Sequence, residues 1–161
     1  MSRKTLDRRC FLGSTLAAST AAGCARKAAH TYLSESELAT LGAVCDQMIP
    51  PDQDPGGGWA GVANYIERQL RGKFREYLPT YREGLAEADR RAGGSFRSVP
   101  RERQLEILMQ MEQDKATKAF VALVAAHSIQ GYYGNPRHGG NRDYCSWSML
   151  GVPASPVRGR S

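Results

Sequence analysis

Ser34-Glu35-Ser36-Glu37-Leu38-Ala39-Thr40-Leu41-Gly42-Ala43-Val44-Cys45-Asp46-Gln47-Met48-Ile49-Pro50-Pro51 reads as one complete helix, with its start, inner face and stop all present. Ser34 and Glu37 form a capping box: the Ser34 hydroxyl accepts from the Glu37 N–H while the Glu37 side chain reaches back to Ser34. Leu33 and Leu38 stand at the positions that staple such a start. Leu38, Leu41, Val44, Cys45 and Met48 recur at helical spacing, and Pro50-Pro51 ends the run.

The rest of the body follows the same period. After a loop over Asp52–Gly61, Val62, Ile66 and Leu70 share a face. Gly72 weakens that run and Pro79 breaks or restarts it. Tyr81, Leu85 and Ala88 mark a more polar helix ending at Gly93-Gly94. Ser98 is the expected cap of the next helix, with Pro100 in its first turn and Leu105, Leu108, Met109 and Glu112 following. Asp114 is the expected cap of the last. Its inner stripe reads Ala116, Phe120, Leu123, Val124, His127 and Gln130, with Gly131 at its end. No segment alternates with period two. The expectation is all-α: a compact bundle of about four to six helices.

The chain of 161 residues is 41% hydrophobic and 24% charged, a globular composition. Its formal charge of +6 invites a nucleic-acid reading until the charges are located. Arg3, Lys4, Arg8 and Arg9 precede a short, weakly apolar stretch rich in Ala, Ser and Thr, which has the three parts of an export signal. That stretch is too short to anchor as a membrane-spanning helix. Arg8-Arg9 followed by Phe11-Leu12 resembles the twin-arginine export signal, with Asp7 and Gly13 as departures from its usual pattern. Taking Arg3, Lys4, Arg8, Arg9 and Asp7 from the 22 basic and 16 acidic residues leaves 18 and 15, a net charge of +3 over 138 residues. Half of the basicity belongs to the export tag, and the nucleic-acid reading loses most of its support.

Ala21-Ala22-Gly23-Cys24 resembles a lipoprotein cleavage box in which Cys24 would be acylated, although Ala21 stands where Leu is usual. Ordinary cleavage near Ala22 or Ala29 stays open beside it. The expected organisation is therefore a signal over 1–23, a linker over 24–33, a helical domain over 34–153 and a flexible tail over 154–161.

The stretch from Gly131 to Pro153 differs in kind. It holds five Gly, the aromatics Tyr132, Tyr133, Tyr144 and Trp147, and the arginines Arg137 and Arg142. Aromatic residues and Arg dominate protein–protein contacts, and an ordered loop of this make-up is more often functional than a spacer. Those six are the candidate partner-binding residues; for each aromatic the competing role is packing within its own chain.

Catalytic chemistry is hard to find. No G-x-G-x-x-G opens a strand–helix unit, and Gly56-Gly57-Gly58 lacks the Lys-Ser/Thr of a phosphate loop. His30, His127 and His138 have no metal spacing with each other or with Cys45 and Cys145. His127 reads as a helix-face residue near the core and His138 as a solvated loop residue. Cys10 lies in the signal, and no C-x-x-C-H occurs to hold a haem. Cys45 and Cys145 leave two options. They bridge internally, or Cys145 bonds to a partner while Cys45 stays buried on the stripe of Leu38, Leu41 and Met48.

Two segments carry a family resemblance. Gly131-Tyr132-Tyr133-Gly134-Asn135-Pro136, Gly139-Gly140-Asn141-Arg142, and Trp147 through Gly151-Val152-Pro153 are similar to the C-terminal signature of the gluconate 2-dehydrogenase subunit 3 family. Cys45 through Asp52, Pro55-Gly56, Ala60-Gly61-Val62 and Ile66 through Leu70 resemble its first motif, while residues 72–112 carry little of it. The resemblance implies a non-catalytic small subunit of a periplasmic complex. In such complexes an FAD-dependent flavoprotein of the glucose-methanol-choline type performs the oxidation, and a multihaem cytochrome c often takes the electrons onward. The small subunit brings the signal read by the twin-arginine translocase, and the complex meets the membrane through a partner or a lipid anchor. The competing expectation is a stand-alone periplasmic lipoprotein that binds a ligand or an envelope component.

Overall fold

The structure is a computed structural model that describes residues 32–153. The export signal, Cys24, most of the linker and the tail over 154–161 lie outside the described residues. Among those described there are six α-helices and no strand: α1 Glu35–Met48, α2 Val62–Leu70, α3 Leu78–Arg91, α4 Arg101–Gln113, α5 Lys118–Tyr133 and α6 Cys145–Met149. The all-α expectation holds.

Both halves of the α1 capping box are made: Glu37 N–H donates to Ser34 Oγ at 3.2 Å and Ser34 N–H to Glu37 Oε2 at 2.6 Å. The helix stops before Pro50, with Leu41, Val44 and Cys45 in the core and Leu33 wholly buried beneath its start.

The centre of the bundle is α5, which touches α1, α2, α3, α4 and α6. Its sequence has a single charge, Lys118, and its buried face packs against each of these neighbours. Ile66, Tyr81, Leu85, Ile107 and Met111 pack with its own Phe120 to form the core. Arg91 ties α3 to the α4–α5 junction by pairing with both Glu87 and Asp114. Hydrogen bonds from Arg90 and Arg91 hold the Glu87 carboxyl down to about 2.

Three local expectations need correction. α4 begins after Pro100, and Ser98 instead closes a short 3-10 turn over Phe96–Ser98. Its buried face is Gln104, Ile107, Leu108 and Met111, while Leu105 and Met109 are exposed. Gln104 decides the rotation: its amide donates to Phe96 O and Val99 O, each at 3.1 Å, and its carbonyl accepts from Gln47 at 2.9 Å. A polar side chain with all those partners can be buried at little cost. Asp114 closes α4 rather than opening α5, accepting from Ala116 N–H at 2.9 Å. Finally, α5 does not end at Gly131, which is buried under the Tyr65 ring, but runs on to Tyr133. Its buried face is Phe120, Val121, Val124, His127, Ser128, Gly131 and Tyr132, leaving Ala116 and Gln130 exposed and Leu123 half-buried.

Candidate functional site

The two glycine-rich segments, far apart in sequence, form one surface. The Asp52–Gly61 loop folds back onto the end of α1: Gly57 N–H donates to Ile49 O at 2.9 Å and Gly58 N–H to Asp46 Oδ1 at 2.8 Å. The C-terminal segment then lies against this loop. Arg142 N–H donates to Ala60 O at 3.0 Å, and the Tyr132 hydroxyl donates to Pro55 O at 2.7 Å.

The same segment closes the end of α5. The last carbonyls of a helix have no partner within it and must find one elsewhere. Here Ser146 Oγ donates to Tyr132 O at 2.6 Å, Trp147 Nε1 to Tyr133 O at 2.9 Å and Asn141 Nδ2 to Gly134 O at 3.0 Å. Asn141 is wholly buried and also accepts from Ser146 N–H at 3.0 Å, so one amide joins the end of α5 to the start of α6. Asn141, Asp143 and Tyr144 hold positive φ of 47°, 52° and 59°. Asn adopts that conformation readily, but a Tyr there costs about 1–2 kcal/mol. Gly140 passes so close to α5 that a Cβ built on it would stand 2.2 Å from Gly131 O.

This framework sorts the six candidate contact residues. Tyr132 leaves the set, because it is buried inside its own chain and its hydroxyl braces the Pro55 turn. Trp147 is half-buried and spends its indole N–H on α5. Tyr133, Arg137, Arg142 and Tyr144 are exposed. Sequence reasoning missed Trp59, Ile129, Met149, Leu150 and Val152 as surface residues, though each is 40–58% exposed. Ile129 sits off the inner stripe of α5, and an apolar residue on the outer face of a helix is the signal that was available. Ile129, Tyr133 and Met149 join Met48, Ile49 and Pro50 around an open cavity of about 460 Å³, rimmed by Asp52 and Asp54. The same two aspartates lead on to Trp59.

A family model, gluconate 2-dehydrogenase subunit 3, matches residues 35–153, from the first turn of α1 to the end of the described C-terminal segment. The chain belongs to that family. No curated protein and no solved structure matches it. The gluconate 2-dehydrogenase subunit 3 match takes in both glycine-rich segments, so the surface they build lies wholly inside the family domain.

Within this subunit 3 domain both described cysteines are free. No bridge joins them, so the internal pairing of Cys45 with Cys145 is not formed. Cys45 is fully buried between α1 and α5, its sulfur 3.8 Å from the Ser128 hydroxyl, and burial pushes its thiol up to about 12. Cys145 is half-buried at the start of α6, beside Asn141.

His127 packs as a core residue. Its ring stacks on Phe74 at 4.1 Å, and its Nδ1 lies 2.7 Å from the Tyr81 hydroxyl. His138 is exposed, its Nε2 accepting from Arg137 Nε, and His30 lies outside the described residues. Among the described residues no group of three or more His, Cys, Asp or Glu is placed to hold a metal ion.

Burial holds the His127 imidazole below its ordinary 6.5. Between its native value and 6.5 the unfolded chain takes up a proton that the native chain refuses. Stability therefore rises with pH through that window and is lost as pH falls through it. The melting temperature is expected to drop as pH falls below 6.5, and His127→Gln is expected to flatten that drop. An unchanged slope in the variant would show that His127 does not control it.

Proposed function

We propose that this subunit is the non-catalytic docking and export partner of a periplasmic, FAD-dependent dehydrogenase of the glucose-methanol-choline type. One observation carries the reading: the family's two motifs converge into a single braced surface that sets the exposed apolar and aromatic residues Tyr133, Met149 and Leu150 beside charged ones. A chain that needed these segments only for its own stability would turn Ile129, Tyr133, Met149 and Leu150 inward. All four are more than a third exposed, and Ile129, Tyr133 and Met149 line a cavity wide enough for a partner's side chains.

The mechanism is one of pre-organisation. Three side-chain hydrogen bonds hold the C-terminal segment on α5, so little ordering cost falls on association. The FAD and any haem c belong to partner subunits, and this chain supplies contact area, orientation and the Arg8-Arg9 signal. The twin-arginine route carries folded cargo, so the complex forms first and crosses as a unit, to stay in the periplasm or be tethered through a partner or through Cys24. Cys145, at the edge of the surface, forms a disulfide with a cysteine of the flavoprotein in the oxidising compartment, the two thiol protons and two electrons passing to a disulfide-donating oxidase there.

Expressing the flavoprotein with and without this chain tests the proposal. Export and activity are expected only in its presence, and non-reducing electrophoresis of the complex is expected to show one band that Cys145→Ser splits. Equal export and activity in both strains would contradict the proposal.

A further inference from the structure

Arg68, Arg137 and Arg142 are gathered at one place, and carboxylates did not gather them. Arg68 Nη1 donates to Arg137 O at 2.9 Å. The Arg68 side chain also lies against Gly139, where a Cβ would stand 3.0 Å from its Cδ. Arg142 is held by its own backbone on Ala60 and rests with its guanidinium carbon 5.4 Å from the centre of the Trp59 ring. Arg137 Nε donates to His138 Nε2 at 3.1 Å.

The ion pairs among the described residues use Arg71, Arg82, Arg90, Arg91 and Arg103. None reaches Arg68, Arg137 or Arg142, so these three guanidiniums have no carboxylate partner among the described residues. Resting on the docking function proposed above, we infer that these three guanidiniums receive the carboxylates of an acidic segment on the catalytic subunit. Trp59 joins this cluster to the acid-rimmed apolar cavity: Arg142 rests over its ring, and Asp52 and Asp54 line both the cavity and a hollow shared with Trp59, so this strip of surface carries both signs of charge.

That polarity favours a protein over a membrane. An anionic bilayer would meet Asp52, Asp54 and Asp143 on the same strip, whereas a folded partner can match each sign in turn. The choice of residue agrees. The lysines of the described chain are Lys73, Lys115 and Lys118, none of them in the cluster, and guanidinium is the group that meets a carboxylate in a bidentate pair. Opposed charges on a strip of this kind select the partner and its orientation more than they add affinity.

The test uses the full chain and its Arg137→Gln/Arg142→Gln variant, with a fluorescent hexaglutamate peptide as the probe. At low salt the wild-type chain is expected to bind the peptide about tenfold tighter than the variant, with the difference vanishing as salt screens it. In the purified complex the variant is expected to release the catalytic subunit at lower NaCl than the wild type. Equal peptide binding by both proteins overturns the inference, as does binding of phosphatidylglycerol vesicles without binding of the peptide. A variant complex with unchanged salt dependence removes the carboxylate receptor and leaves the docking function standing. Failure of the wild-type chain to hold any catalytic subunit removes both.

Discussion

Replacing Gly140 by alanine is expected to lower the melting temperature by about 10 °C and to free the C-terminal segment from α5. The new methyl group would stand 2.2 Å from Gly131 O, and both sides of that contact are backbone, so no side chain can swing aside. Overpacking against a fixed neighbour costs about 1–3 kcal/mol and sometimes more, and each kcal/mol is worth about 3–5 °C in a domain of this size. The segment takes Ser146, Trp147 and Asn141 away with it, uncapping the end of α5. Trp147 fluorescence, read in a Trp59→Phe background, and protease cleavage after Arg142 report the release. Gly42→Ala is the control: Gly42 lies in α1 with nothing within 4 Å of a Cβ, and alanine there is expected to stabilise by about 0.5–1 kcal/mol. A Gly140→Ala protein that melts with the wild type, its Trp147 emission unchanged, would contradict the packing described.

The features legible in the sequence are those that local chemistry determines. α1 could be read residue by residue because its cap, staple and stop lie within twenty residues of one another. The rotation of α4 could not, because Gln104 is buried by carbonyls of a turn whose path depends on the rest of the fold. The end of α5 was misplaced because glycine normally stops a helix, whereas Gly131 makes room for Tyr65. That one error also merged Tyr132 with Tyr133. Two more residues of helix turn the first into the core and the second outward.

The site was half legible. Composition marked the C-terminal segment, but Trp59 lies in a stretch that reads only as a connection. The contact between that loop and Arg142 spans 83 positions of chain and exists only after folding.

The largest effect on assembly is expected from Ile129→Glu with Met149→Glu. Both side chains line the cavity, at 58% and 40% exposure in the isolated subunit. Surface substitutions of this kind leave stability within about 0.5 kcal/mol. Only the exposed part of each side chain remains to be buried in the complex, so the two substitutions together would remove about 1.5–3 kcal/mol of apolar burial. Each would also leave a carboxylate desolvated beside Asp52 and Asp54, where it is repelled. About 3 kcal/mol in all is more than a hundredfold in affinity. The deciding measurement is the equilibrium dissociation constant of the flavoprotein with the wild-type subunit and with this double variant, the melting temperatures of the two subunits being compared alongside. Tight binding by the wild type and at least a hundredfold loss in an equally stable variant is the result expected. Equal affinities would place the docking surface elsewhere on the molecule and contradict the account.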